Sequence, residues 1–173
     1  MNIFQCLTTL LLFLAVNLNA STLQGKVVNV ADGDTITVLD ATNTQHKIRL
    51  QGIDSPEKAQ AFGQKSKQSL SQLVHNKQVA IEFQKKDKYG RTVGKVVFID
   101  LDVCLEQIKL GMAWHYKHYE SEQSKEDRET YAQAELAART KALGIWQDKN
   151  PTPPWEFRKQ ERWIHIKACL TCR

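Results

Sequence analysis

The stretch HKIRLQGIDSPE, residues 46–57, decides how the rest of the chain is read. From His46 to Leu50 apolar and polar side chains alternate, so Ile48 and Leu50 share one face of a strand and Arg49 points to the other. Ser55 is a good N-cap and Pro56 suits a first helical turn, so the chain is expected to leave the strand at Leu50 and enter a helix at Pro56, with Glu57 in its first turn. If Ile48 and Leu50 face an interior, Arg49 emerges on the outer face, where a substrate groove could run. Asp54 falls on the short connection, where a carboxylate can face a cleft instead of a core. Taken alone, the stretch is equally well explained as an ordinary capped turn.

Working outward, short β-branched segments alternate with turn residues. Val27, Val28 and Val30 mark a first strand, Ala31-Asp32-Gly33 a turn, and Thr35 to Leu39 a second strand; Asn43 turns the chain into the third. After Pro56, the spacing of Phe62, Ser66, Leu70, Leu73 and Val74 predicts an amphipathic helix ending near His75 and Asn76. Val79, Ile81 and Phe83 alternate as a fourth strand, residues 85–91 form a charged hairpin loop, and Val93 to Ile99 a fifth strand. Five strands with a helix after the third predict a β-rich α+β protein, a five-stranded OB-fold Greek-key barrel with about three helices. Asp102 can cap a short helix through Leu105 and Ile108 that closes at Gly111. Ser124 with Asp127 suggests a capping box for a longer one, whose buried side carries Tyr131, Ala134, Ala138, Ala142 and Ile145 before Gly144 stops it.

The 173 residues suit one domain, and three parts are expected: residues 1–20, residues 21–150, and a basic tail over residues 151–173, where Pro151, Pro153 and Pro154 end regular structure. The first part has no Asp, Glu, Lys or Arg and carries an apolar run from Leu10 to Val16, so it reads as a secretory signal peptide cut after Ala20. That predicts a secreted or periplasmic protein; the run is short for a spanning helix, which needs about 20 apolar residues. The net charge of +5 stays with the mature chain and favours polyanionic partners such as nucleic acid. Cleavage would leave three cysteines, Cys104, Cys169 and Cys172. The spacing of the last two resembles a redox pair, but with no βαβ pattern around them a terminal staple, with Cys104 as a candidate partner, is the stronger expectation.

Asp34, at the start of the second strand, could meet Asp54 if the second and third strands pair. Two carboxylates with a backbone carbonyl near Ser55 would form a hard-oxygen site that suits calcium better than zinc; the plainer reading of Asp32-Gly33-Asp34 is a β-turn. His115 and His118 lack companion ligands at metal spacing and are expected at the surface.

Asp34-Thr35 after Asp32-Gly33, then Arg49 with Ile53-Asp54-Ser55-Pro56-Glu57, then Asp87-Lys88-Tyr89-Gly90-Arg91 with Val93-Gly94, resemble the two sequence patterns of the staphylococcal nuclease (thermonuclease) family in order and spacing. The resemblance covers roughly Gly25 to Trp146. It implies an OB barrel that cleaves DNA and RNA phosphodiesters with one calcium ion. Asp34, Asp54 and the Ser55 backbone carbonyl match its calcium ligands, although the family often has Thr where Ser55 stands. Glu57 matches the carboxylate that orients or deprotonates the attacking water, and Arg49 and Arg91 match the arginines on the scissile phosphate. Lys88 and Tyr89 match substrate contacts. Lys117 stands where the family has a pocket tyrosine, so Tyr116 or Tyr119 is expected to substitute. A monomer with DNA and RNA as substrates and no stable protein partner follows; the alternative is a noncatalytic OB-fold nucleic-acid-binding module, which would be free to lose these side chains.

Overall fold

The computed structural model describes residues 21–171. Its strands are β1 (Ser21–Val30), β2 (Thr35–Leu39), β3 (Gln45–Leu50), β4 (Ile53–Asp54), β5 (Gln78–Lys86), β6 (Thr92–Phe98), β7 (Leu101–Asp102) and β8 (Trp114–His115). The α-helices are α1 (Gly63–Val74), α2 (Val103–Lys109), α3 (Lys125–Thr140) and α4 (Pro154–Thr171). Antiparallel pairing runs β3-β2-β1-β5-β6, and β3 closes the barrel by pairing in parallel with β6, Ile48 opposite Thr92 and Leu50 opposite Gly94. The predicted β-rich α+β barrel is therefore present, with β4 and β8 paired separately beside it.

Alternation along the strands builds the interior. Val27, Ile36, Val38, Ile48, Leu50, Ile81 and Val96 are buried together, and Leu70 and Val74 of α1 with Val103 and Ile108 of α2 pack against them. At about 25 cal/mol per Å² of apolar surface, this burial is the main stabilising term, and it fixes the register of β3 because a one-residue slip would turn Arg49 inward. Asp102 caps α2 by accepting from the Leu105 N–H at 3.0 Å, and Ser124 caps α3 by accepting from the Asp127 N–H at 3.0 Å, as expected.

Three expectations are corrected. The first helix begins at Gly63, not Pro56, so Glu57 lies in a loop. The chain between them folds into tight turns, with Gln60 N–H donating to the Glu57 carbonyl at 2.8 Å and Gly63 N–H to the Gln60 carbonyl at 3.0 Å, and Phe62 in a left-handed conformation. Gly63 is needed there, since a Cβ would meet the Glu57 carbonyl oxygen at 2.0 Å. Second, α3 ends at Thr140, and Ile145 is buried from a separate 3-10 turn, Gly144–Gln147. Third, the prolines at 151, 153 and 154, expected to end regular structure, instead lead into a helix. Pro154 occupies a first helical position, where its missing N–H costs nothing, and opens α4, a fourth helix.

Cys104 is buried with a free thiol, so no staple joins it to a described residue. The expected signal peptide, Cys172 and the Cys169 side chain lie outside the described residues. Among the described residues no helix is long and apolar enough to cross a membrane.

Candidate active site

The turn before β2 delivers the first carboxylate. Thr35 pairs with Arg49 across β2 and β3, and the Leu50 N–H donates to the Asp34 carbonyl at 2.8 Å, which sets Asp34 beside the end of β3. The turn is pinned from the core by Gln107 of α2, wholly buried, whose Nε2 donates to the Gly33 carbonyl at 3.0 Å and the Ser66 carbonyl at 3.2 Å. Gly33 has no room for a side chain: a Cβ would meet Ser66 Oγ at 1.9 Å and Ser55 Cβ at 2.8 Å.

Ser55 does not cap a helix. Its N–H and its hydroxyl both donate to Asp34 Oδ2, at 2.7 and 2.9 Å, while Thr35 Oγ1 donates to Asp34 Oδ1 at 3.1 Å. A buried carboxylate recovers its lost hydration only through such donors, and this demand outweighs local capping. Burial raises the Asp34 carboxyl, but the Arg49 guanidinium and the two Ser55 donors bring it below its ordinary value, so it is ionised. Beside it, burial and the Asp34 charge push Asp32 up to about 6.

Arg49 links the two aspartates. Its Nη2 lies 2.9 Å from Asp54 Oδ1 and 3.3 Å from Asp34 Oδ2, and its Nη1 donates to the Leu50 and Ile53 carbonyls at 2.8 and 2.9 Å. It does leave β3 on the face away from the core, but four acceptors hold it and its side chain is only 15% exposed. Asp54 is more deeply set, and burial raises its carboxyl against the opposing pull of Arg158 and Arg49.

Across the cleft, the loop between β5 and β6 presents Arg91. Its N–H and Nε donate to Asp87 at 2.9 and 2.7 Å, which orients the guanidinium, while its terminal nitrogens make no hydrogen bond among the described residues. The Lys88 ammonium and the Arg91 guanidinium lie 5.1 and 5.6 Å from the ring of the exposed Tyr89. Tyr116 and Tyr119 meet edge to face at 5.5 Å, with the Lys85 ammonium 5.5 Å from the Tyr119 ring.

One residue of the site went unread in the sequence. Arg158, on the first turns of α4, donates from Nη2 to Asp54 Oδ2 at 2.8 Å and from Nη1 to Glu57 Oε1 at 2.7 Å. In the sequence the prolines before it signal an end to regular structure, and nothing local to Arg158 shows the helix or where it docks. His115 is also corrected. It is buried, not superficial, and its Nε2 is 3.0 Å from Gln123 Oε1.

The ten residues expected at the site all line one cleft of about 610 Å³: Asp34, Arg49, Asp54, Ser55, Glu57, Lys88, Tyr89, Arg91, Tyr116 and Tyr119. Asp34 and Asp54 touch the same guanidinium nitrogen, and no set of three or more His, Cys, Asp or Glu gathers around a common point among the described residues. Two buried carboxylates and no nitrogen or sulfur donor fit a hard cation whose remaining ligands are carbonyl and water oxygens.

Residues 47–148 match the family model described as "Staphylococcal nuclease homologue". A protein of Haemophilus influenzae named "Uncharacterized endonuclease" is 44% identical over 79% of this chain and 74% of its own. The "Micrococcal nuclease" of Shigella flexneri is 37% identical over 80% of this chain and 82% of its own, and an "Uncharacterized endonuclease" of Escherichia coli is 35% identical over 80% and 87%.

Proposed function

The chain belongs to the staphylococcal nuclease family, and from that membership we propose that it is an exported nuclease that hydrolyses DNA and RNA phosphodiesters with little regard for the sugar, using one calcium ion. The observation that carries this reading is the arrangement of the cleft. Two aspartates share one guanidinium, and the same cleft is lined by Glu57 and by Arg91, whose terminal nitrogens make no hydrogen bond among the described residues.

Asp34 and Asp54 would hold the ion, with the Ser55 carbonyl and water completing its oxygen shell. Bound there, calcium would offset the negative charge that grows on phosphorus as a nucleophile adds. The side chains have separate tasks. Arg91 offers a planar fork for two phosphate oxygens and stays charged at any working pH. Arg49 is fixed before substrate arrives, so it stabilises charge with no reorganisation. Glu57, 37% exposed and close to Asp54 through Arg158, is placed to accept a proton from water at the mouth of the site. The basic groups of the cleft address phosphate, common to DNA and RNA, and Tyr116 and Tyr119 offer stacking faces that tolerate any base. A monomer suffices for this chemistry, because every side chain invoked comes from one chain.

The test is plasmid DNA and RNA incubated with the protein in calcium, in magnesium and in chelator, with Glu57→Gln as the control. Both substrates are expected to be cut in calcium and spared in chelator, and Glu57→Gln is expected to lose about 100-fold or more in turnover, roughly 3 kcal/mol, while still binding calcium. Absence of calcium-dependent cleavage alongside retained nucleic-acid binding would favour a noncatalytic binding module.

A further inference from the structure

Arg158 occupies the carboxylates that a cation and its water would use. Its Nη2 lies 2.8 Å and its Nη1 3.3 Å from the two oxygens of Asp54, and Nη1 also reaches Glu57 Oε1 at 2.7 Å. Asp54 Oδ1 is shared with Arg49, so both oxygens of a side chain only 2% exposed are engaged by guanidiniums.

The two arginines differ in how firmly they are held. Arg49 is anchored by two backbone carbonyls as well as two carboxylates. Arg158 is 39% exposed, binds nothing but the two carboxylates among the described residues, and sits on the first turns of α4. Trp155 provides the apolar part of that contact, 5.6 Å from the Trp114 ring and 5.5 Å from the Tyr116 ring. From Lys159 to Ile164 every residue of α4 is exposed. Pro151 and Pro153 lie in the connection that precedes this helix, where the Gln60 side-chain amide donates to the Thr152 carbonyl.

We propose that Arg158 is a tethered competitor for the divalent cation: α4 closes the site by pairing Arg158 with Asp54 and Glu57, and a cation enters Asp54 only as that pair opens. This rests on the reading of Asp34 and Asp54 as cation ligands. Arg49 engages only Oδ1 of Asp54, and Arg158 covers Oδ2, the oxygen Arg49 leaves open, so a divalent ion, repelled by the second guanidinium where little solvent screens it, reaches that oxygen only when Arg158 has left. The apparent affinity for the cation is then reduced by the fraction of time the site is open, and a site closed nine times in ten binds about tenfold more weakly than its open form. The same opening frees Glu57 for water. Any partner or condition that lifts α4 would raise cation affinity, which makes the helix a point of control.

The experiment is calorimetric titration of calcium chloride into the full chain, its Arg158→Gln and Arg158→Lys variants, and Lys159→Gln as a control for net charge one residue along the same helix. Arg158→Gln is expected to bind calcium about tenfold or more tightly, Arg158→Lys to fall between it and the parent because an ammonium cannot fork onto Asp54, and Lys159→Gln to match the parent. An unchanged or weakened affinity in a folded Arg158→Gln protein, or an equal gain in Lys159→Gln, overturns the proposal and leaves the cation reading standing. Failure of every variant to bind calcium overturns both.

Discussion

Arg49→Ala is expected to be a stability mutation as much as a catalytic one. The substitution removes four contacts at once, to Asp34, Asp54 and the carbonyls of Leu50 and Ile53, from a side chain only 15% exposed. Removing one partner of a buried ion pair costs about 3–5 kcal/mol. Here Asp34 keeps two donors from Ser55 and Asp54 keeps Arg158, which places the charge contribution at the lower end. Two carbonyls that lose a donor restore about 1 kcal/mol each to the cost, and solvent entering the gap recovers part of it. A net loss of about 3–4 kcal/mol results, a fall of roughly 10 °C in melting temperature for a domain of this size. Urea unfolding of the metal-free protein, followed by circular dichroism, measures it. Arg91→Ala is the internal comparison. Among the described residues Arg91 forms one ion pair, with Asp87, and lies over the exposed Tyr89 ring, so its loss should stay within about 1 kcal/mol while cleavage falls about 100-fold or more. Saturating calcium should recover stability in Arg49→Ala, by about 2.7 kcal/mol at a hundred times its Kd. An Arg49→Ala protein as stable as Arg91→Ala would refute the view that this guanidinium is the pillar between the aspartates.

Two further outcomes follow from the same geometry. Gly33→Ala forces a methyl into Ser66 and Ser55, so it should cost about 1–3 kcal/mol and weaken calcium binding through displacement of Ser55 from Asp34; wild-type affinity in calorimetry would contradict it. Asp40 is held below its ordinary value of 3.8 by the Thr42 hydroxyl, His46 and the Thr44 N–H, so its contribution is full above about pH 4 and is lost as pH falls through the lowered value. Asp40→Asn should therefore melt below the parent at neutral pH, with the gap closing in acid; a gap that is constant with pH would show that the carboxylate's charge is not what counts.

The barrel was legible because its signals are local and repeated. Ile36 and Val38, Ile48 and Leu50, and Val79 and Ile81 each alternate within one segment, and each pair is buried. Asp102 and Ser124 cap their helices as their own neighbours dictate. The site carboxylates and arginines were legible for a different reason. Taken singly each segment reads as an ordinary turn; it is the order and spacing of the three segments, which resemble the family's two sequence patterns, that singled these residues out, and the β2–β3 hairpin sets Asp34 beside the end of β3.

What could not be read shares one cause: polar contacts between distant segments override local preference. Ser55 has the sequence context of an N-cap, yet both its donors go to Asp34, 21 residues earlier, because a carboxylate taken from water must be satisfied wherever it sits. That diversion removes the cap at Pro56 and lets residues 56–62 form turns, which is why Glu57 stands free of the helix and within reach of Arg158. The Arg158 contact spans 104 residues and Gln107 reaches Gly33 across 74, separations over which no periodicity or spacing rule operates. The two misreadings are therefore connected. Had Ser55 capped a helix at Pro56, Glu57 would have been fixed in its first turn instead of in the loop where α4 now meets it, so the same long-range bond that corrected the helix start created the place where the unread arginine docks.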